Sequence, residues 1–307
     1  MRPRDRQLGQ RIDDQLATFD RTIRPLLGVH DATSREAFRE QLLESIHRVR
    51  FIRVMRDRQI SARRADPNDD LFDPLKAAII QQRRGNVEEA FWLVFLFVHF
   101  GKHAHDGWRY AREIYGRLGD GQLWDWASVS ADPGGFREWL SAHQNELKRP
   151  GAGFGNHRKR ESLDAQSETG TGAIVESYVA WVSPPRSHQQ LVAEVINRRR
   201  GEPRTSFDDL YRSMDAVVRF GRLARFDYLT MLGKLGLAPI EPGSPYLEGS
   251  SGPLCGARLL FGQKKSGVTL DAWIAELGQH LDVGMQVLED ALCNWQKSPD
   301  RFVAFRG

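Results

Sequence analysis

The sequence predicts an all-α fold, and three observations carry that expectation. Apolar residues recur at helical spacing in segment after segment, almost no segment alternates with period two, and turns bearing Gly or Pro cut the chain into helix-length pieces. The clearest stripe is Val283, Val287, Ala291 and Trp295, which fall on one face of a helix. No internal repeat is present in the sequence.

Each element can be justified in order. Residues 1–66 read as an amphipathic N-terminal helical arm: Leu8, Ile12, Leu16 and Phe19 recur at helical spacing, as do Phe38, Leu42, Ile46 and Val49. Arg50, Arg53, Arg56, Arg58, Arg63 and Arg64 form a basic run, which fits either a solvated face or a phosphate-contacting one. Residues 67–307 read as the main domain. After a turn at Asp66-Pro67-Asn68-Asp69-Asp70, helices are expected over 74–84, 87–100 and 110–118. Asp132-Pro133-Gly134-Gly135 opens a loop before a helix over 136–147. Residues 150–172 read as a long, irregular, basic loop, and loops of that length are often functional. An ordered element resumes over 175–182 and ends at Pro184-Pro185; further helices are expected over 208–214, 217–235, 256–261, 271–281 and 283–295.

Composition narrows the function classes. A chain of 307 residues with 40% hydrophobic and 27% charged residues can bury a full core. The net charge of +4 is compatible with a polyanionic partner. Only Cys255 and Cys293 are present, which excludes a disulfide framework and a four-cysteine zinc or iron–sulfur site and fits a reducing, cytoplasmic setting. The basic N-terminus has no apolar run behind it, so no signal peptide is expected. The apolar stretch from Ala90 to Phe100 is too short for a bilayer and reads as a buried helix. With no Walker motif and no strand-borne glycine fingerprint, no nucleotide cofactor is expected. His99, His103 and His105 suggest a metal, since His99 and His103 are i,i+4 on the expected helix; no Glu sits in the zinc-protease position between them, and no metal is assigned.

The segment from Tyr246 to Gly262 is a Gly-rich turn leading into an apolar helix, and Asp271 follows nineteen residues after Gly252. Glycines in such a turn let backbone N–H groups approach a phosphate, and a helix N-terminus favours the anion. The segment resembles the hairpin of the helix-hairpin-helix DNA glycosylases, with Gly249-Ser250-Ser251-Gly252 in place of the usual hairpin and Ala272-Trp273 after the Asp. The resemblance implies that Gly249, Gly252 and Gly256 hold a DNA strand. It also implies that Asp271, at the start of the next helix, stabilises a cationic sugar. The same residues fit an ordinary turn and an ordinary N-cap. Leu254 stands where bifunctional members carry a lysine, so the resemblance implies a monofunctional reaction without strand cleavage.

Wider phrases carry a second resemblance. They are Gln81-Gln82-Arg83-Arg84-Gly85, Ala90-Phe91-Trp92-Leu93, His99-Phe100-Gly101-Lys102-His103, Gly153-Phe154-Gly155-Asn156-His157-Arg158-Lys159, Glu176-Ser177-Tyr178-Val179 and Phe220 to Leu229. In this order they are similar to the alpha-glutamyl/putrescinyl thymine pyrophosphorylase family, clade 3, a branch of the glycosylase superfamily. The implied fold is a two-lobed, helix-hairpin-helix glycosylase-like domain. The implied partner is DNA carrying modified bases, as in phages, with no cofactor and no membrane, and the protein is expected as a monomer.

Within that resemblance, Asn156, His157, Arg158 and Lys159 become candidates to clamp phosphate, although a mobile basic loop fits as well. Glu176 and Tyr178 become candidates for substrate binding. Arg222 and Arg225 become phosphate contacts and Asp227 a second candidate catalytic carboxylate, against the alternative of a surface ion-pair network. The leading functional expectation is a monofunctional glycosylase that excises a bulky modified pyrimidine, such as glycosylated 5-hydroxymethylcytosine, in anti-phage defence. The alternatives are a transferase that joins an amine to pyrophosphorylated 5-hydroxymethyluracil in DNA, and a non-catalytic DNA-binding module.

Overall fold

A computed structural model describes residues 5–149 and 153–304, together with the backbone but not the side chain of Asn156. The fold is all-α, and no strand occurs among the described residues. The helices are α1 (Arg6–Thr22), α2 (Ala32–Asp57), α3 (Pro74–Arg83), α4 (Val87–Phe100), α5 (Arg109–Tyr115), α6 (Trp126–Ala131), α7 (Pro133–Leu147), α8 (Thr171–Val182), α9 (His188–Arg198), α10 (Pro203–Ser213), α11 (Arg222–Leu235), α12 (Gly252–Phe261), α13 (Gly267–Leu281) and α14 (Met285–Trp295). No helix among the described residues is long and apolar enough to cross a membrane.

The chain forms two compact units. The first joins residues up to Met55 to those from Pro242 onward, and the second runs from Arg56 to Glu241. In the first unit, the apolar stripes of α1 and α2 meet α12, α13 and α14 around Leu16, Phe19, Phe38, Leu260, Leu277, Leu288 and Trp295. Phe38 and Trp295 lie with ring centroids 4.9 Å apart. The N-terminal helices, read from sequence as an arm ending at residue 66, thus share one core with the C-terminal helices. The pairing joins segments hundreds of residues apart, which local patterning does not show.

The second unit is built around α4, whose residues from Ala90 to Leu96 leave no polar face. Phe95 stacks on Tyr178 of α8 with centroids 3.9 Å apart and on Phe220 at 5.4 Å. The Trp92 indole N–H donates to the Trp124 carbonyl at 2.8 Å, so this fully buried ring leaves no orphan donor.

Helix starts depend on caps that the apolar pattern does not reveal. Asp132 accepts from the Gly135 amide at 2.7 Å, so Pro133-Gly134-Gly135 is the first turn of α7 and not a preceding loop. Helix α8 begins at Thr171, four residues before the sequence expectation, and α10 at Pro203. Helix α11 begins only at Arg222, because Val217 to Gly221 form a turn. Helix α9 has a complete capping box between Ser187 and Gln190.

Candidate functional site

In the second unit, two glycines bring the 153–160 segment onto the end of α4. Gly101 terminates α4 with φ +62°, and a Cβ on Gly155 would lie 2.6 Å from the Gly101 carbonyl carbon. The Gly155 amide donates to the Phe100 carbonyl at 2.8 Å. This places Arg158, only 8% exposed, underneath the loop. Its Nε donates to the Val98 carbonyl at 2.8 Å and its guanidinium reaches Asp227 Oδ2 of α11 at 3.3 Å.

The Asp227 side chain is 37% exposed, so the pair has one buried partner and one open to solvent. Asp227 is recessed as well as open: burial pushes its carboxyl above the ordinary range, against the opposing pull of Arg158, then His157, Arg222 and Lys234. Burial likewise lowers the Arg158 pKa, with Asp227 and Glu161 opposing. A guanidinium nevertheless stays charged. The result is a recessed carboxyl group with Arg158, Arg222 and Lys234 pulling on it, Arg158 being fixed from below. Such an arrangement can stabilise positive charge on a sugar, take a proton, or sit beside a bound phosphate. His157 and Lys159 are exposed on the loop, while the Asn156 side chain lies outside the described residues.

His99 forms part of the floor. It is 2% exposed and its Nε2 lies 3.0 Å from Thr171 Oγ1, which itself donates to the Ser162 carbonyl at 2.9 Å. Burial, with Arg158 second, lowers the His99 pKa to about 3, so the ring is neutral. The helical i,i+4 pair of His99 and His103 does not form, because α4 ends before His103 and His99 turns inward. No cluster of three or more candidate metal ligands occurs among the described residues.

The remaining candidates of this unit make other contacts. Arg225 donates to Asp215 Oδ1 at 3.0 Å and stacks over Tyr211 at 4.7 Å, so it braces α11 against α10 and not Asp227. Glu176 accepts from Arg137 at 2.6 Å, and Arg137 also binds the Ala165 and Gln166 carbonyls, so the pair secures the 163–166 segment. Arg222 lies with its guanidinium 4.9 Å from the Phe226 ring, at the first position of α11. Tyr178, expected to contact substrate, is fully buried. Its apolar ring packs in the core and its hydroxyl joins an internal chain.

That chain was not visible in the sequence. Glu88 Oε2 lies 2.7 Å from His188 Nδ1, His188 Nε2 lies 2.7 Å from the Tyr178 hydroxyl, and Tyr178 lies 2.8 Å from the Tyr228 hydroxyl. Glu88 also accepts from the His188 and Gln189 amides and so caps α9. Burial raises the Glu88 carboxyl, but its hydrogen bonds to His188 outweigh burial and leave it below its ordinary value. An anionic Glu88 fixes the proton of His188 on Nδ1. Nε2 must then accept from Tyr178, and Tyr178 from Tyr228. Tyr228 neighbours Asp227 on α11, so the chain ties the helix that carries the carboxylate to α4, α8 and α9.

In the first unit, Asp271 is not a helix N-cap. Ser266 caps α13 by accepting from the Thr269 amide, and Asp271 lies one turn further in. Its Oδ1 accepts from the Leu247 amide at 2.9 Å, which ties the start of the hairpin to α13. Ser250 then closes the turn: its amide and hydroxyl both donate to the Leu247 carbonyl, and its Oγ accepts from the Leu254 amide at 3.2 Å. Among the hairpin glycines, only Gly249 has the left-handed conformation, φ +75°, with open space beside it. A Cβ on Gly252 would lie 2.8 Å from Cys293 Sγ, and one on Gly256 2.4 Å from the Leu292 carbonyl oxygen. Those two glycines let α12 and α14 approach closely, so helix packing accounts for them.

The sequence matches the alpha-glutamyl/putrescinyl thymine pyrophosphorylase clade 3 family over residues 33–307. No curated protein and no solved structure matches the chain. The matched region takes in α3 to α14 and therefore every residue of the Asp227 site. The chain belongs to the alpha-glutamyl/putrescinyl thymine pyrophosphorylase clade 3 family, whose name is that of an enzyme of modified-thymine chemistry.

Proposed function

We propose that the protein is a monofunctional DNA glycosylase of helix-hairpin-helix type that removes a bulky modified pyrimidine, such as glycosylated 5-hydroxymethylcytosine, from phage DNA. The observation that carries this reading is the Arg158–Asp227 pair, a carboxylate open to solvent and held by a buried guanidinium. As the C1′–N1 bond breaks, its electron pair leaves with the base and positive charge grows on the sugar, where the Asp227 carboxylate stabilises it. Water then forms the C1′–O bond, Asp227 takes the water proton, and that proton neutralises the departed base. Arg222 and His157 hold flanking phosphates. Asp227 is preferred over Asp271 as the central carboxylate, since Asp271 already holds the hairpin backbone. An abasic phage genome stalls in replication, which makes the activity a defence in the cytoplasm.

A second reading rests on the family name and on the cations around Asp227. In it, an amine attacks the 5-methylene carbon of a pyrophosphorylated 5-hydroxymethyluracil. The C–O bond to pyrophosphate breaks, Asp227 takes the amine proton, and Arg222 and His157 hold the departing pyrophosphate.

One experiment separates the two. Purified protein is incubated with DNAs carrying different modified pyrimidines, and released small molecules and abasic sites are measured. Free modified base together with abasic sites supports the glycosylase. Mass gain on pyrophosphorylated DNA only when an amine is supplied, with no base release, moves the assignment to the transferase.

A further inference from the structure

The basic run in the second half of α2 is not uniform in its surroundings. Of the arginines on this helix, Arg35 pairs with Asp20 at 3.5 Å, Arg39 with Asp13 at 2.7 Å, Arg48 with Asp290 at 3.0 Å and Arg56 with Asp57 at 3.0 Å. Arg50 and Arg53 are exposed, and among the described residues neither is placed against a carboxylate. Beside them the helix displays two large apolar side chains, Phe51 at 59% exposure and Val54 at 43%. Helical geometry puts Arg53, Arg50, Val54 and Phe51 in that order around one face. The first half of the same helix buries Phe38, Leu42 and Ile46 in the core, so the exposed face is confined to its far end.

An exposed phenylalanine costs solvation free energy, and because Asp57, one turn beyond Arg53, is paired with Arg56, the two adjacent guanidinium groups of Arg50 and Arg53 repel each other without an ion-pair partner of their own. Both costs are relieved by a ligand that is anionic and regularly spaced and has flat apolar surface between its charges. DNA has that chemistry: phosphates accept from guanidinium forks, and apolar deoxyribose surface lies along the backbone between them. We propose that the Arg50–Val54 face of α2 is a sequence-independent DNA-tracking surface. Arg50 and Arg53 contact successive phosphates, and Phe51 and Val54 pack on the deoxyribose surface beside them. The proposal rests on the reading that DNA is the substrate.

The test is fluorescence anisotropy of the full chain with a labelled, unmodified duplex over a series of salt concentrations. The Arg50→Ala/Arg53→Ala variant should bind on the order of tenfold to hundredfold more weakly, with the slope of log affinity against log salt reduced by about 2. The Arg50→Lys/Arg53→Lys variant should keep the slope. Phe51→Ala should weaken binding roughly fivefold without changing the slope. Arg198→Ala/Arg212→Ala, which removes equal charge from exposed positions elsewhere, should bind as the parent does. All four positions of the face are exposed apart from their helical backbone, and thermal unfolding confirms that the variants fold. Parent-like binding and slope in Arg50→Ala/Arg53→Ala overturn this proposal and leave the enzymatic reading standing. Failure of the parent protein to bind any DNA overturns both. Binding of the parent to phosphatidylserine vesicles, lost in the same variant while DNA binding is kept, assigns the face to a membrane surface instead.

Discussion

The Tyr178 hydroxyl lies 2.7 Å from His188 Nε2 and has no exposed surface. Because Tyr228 and Glu88 occupy the two ends of this chain, every member has a partner and every proton an assigned place. Replacing Tyr178 by Phe removes the middle link and leaves His188 Nε2 and the Tyr228 hydroxyl buried without it. The expected cost is about 1–3 kcal/mol in denaturant unfolding. A loss smaller than about 0.5 kcal/mol would show that the chain adds little to the fold.

Glu89 gives a pH prediction. Its Oε2 accepts from the Trp126 amide at 2.7 Å, and burial, opposed by that amide and by a hydrogen bond from Tyr115, raises its pKa from 4.5 to about 7. The folded-state pKa lies above the unfolded one, so the stabilisation is complete below pH 4.5 and is lost as pH rises through about 7. Glu89→Gln lacks this titration. Relative to the parent it should gain on the order of 3 kcal/mol on going from acid to mildly alkaline pH. Parallel stability–pH curves for the two proteins would refute the assignment.

Asp227→Asn keeps an acceptor for Arg158 but removes the charge. On the proposed reading, base release falls by a factor on the order of 100 or more while DNA binding persists. Arg158→Met should instead lower the melting temperature, because the Val98 carbonyl and Asp227 lose a shared donor. Equal loss of binding and turnover in Asp227→Asn would mark the residue as structural.

Asp271 separates by its two replacements. Asn retains an acceptor for the Leu247 amide and should leave stability within about 0.5 kcal/mol, whereas Ala should cost about 1 kcal/mol or more. Abolished turnover in a stable Asp271→Asn protein would return the central role to this carboxylate.

The hairpin glycines predict opposite phenotypes. Gly256→Ala forces a methyl against the Leu292 carbonyl and should destabilise the protein by about 1–3 kcal/mol. Gly249→Ala meets open space, so only its left-handed backbone opposes it, at about 1 kcal/mol. If the hairpin holds DNA, Gly249→Ala is also the variant whose binding weakens, measured by the same anisotropy titration.

The all-α fold was legible because stripes such as Val283, Val287, Ala291 and Trp295 repeat along the chain; the last three lie buried on α14, while Val283 precedes that helix. Helix starts were less legible, since a cap such as Asp132 acts through a side-chain hydrogen bond that apolar periodicity does not register. Helix α9 went unassigned because its polar residues outnumber its buried apolar ones, Leu191, Val192 and Val195. The site was visible only in pieces. Arg158 and Asp227 were both candidates, but nothing in a spacing of 69 residues says that they touch. Glu88 and His188, 100 residues apart, carried no local signal at all. Arg225 and Glu176 look equally suitable in the sequence, and only their acidic or basic neighbours reveal a bracing role.

The backbone contact between Gly101 and Gly155 leaves no room for even a methyl group, so the loop bearing Arg158 is seated on α4 main chain to main chain. A seam of this kind cannot be adjusted by side-chain substitution without opening it. On the proposed reading, variation in substrate falls to the rim, where His157 and Lys159 are exposed, while the Arg158 anchor stays constant. The molecule has the logic of a fixed jig with exchangeable jaws, and if the jaws hold the substrate, relatives with different substrates should differ there first.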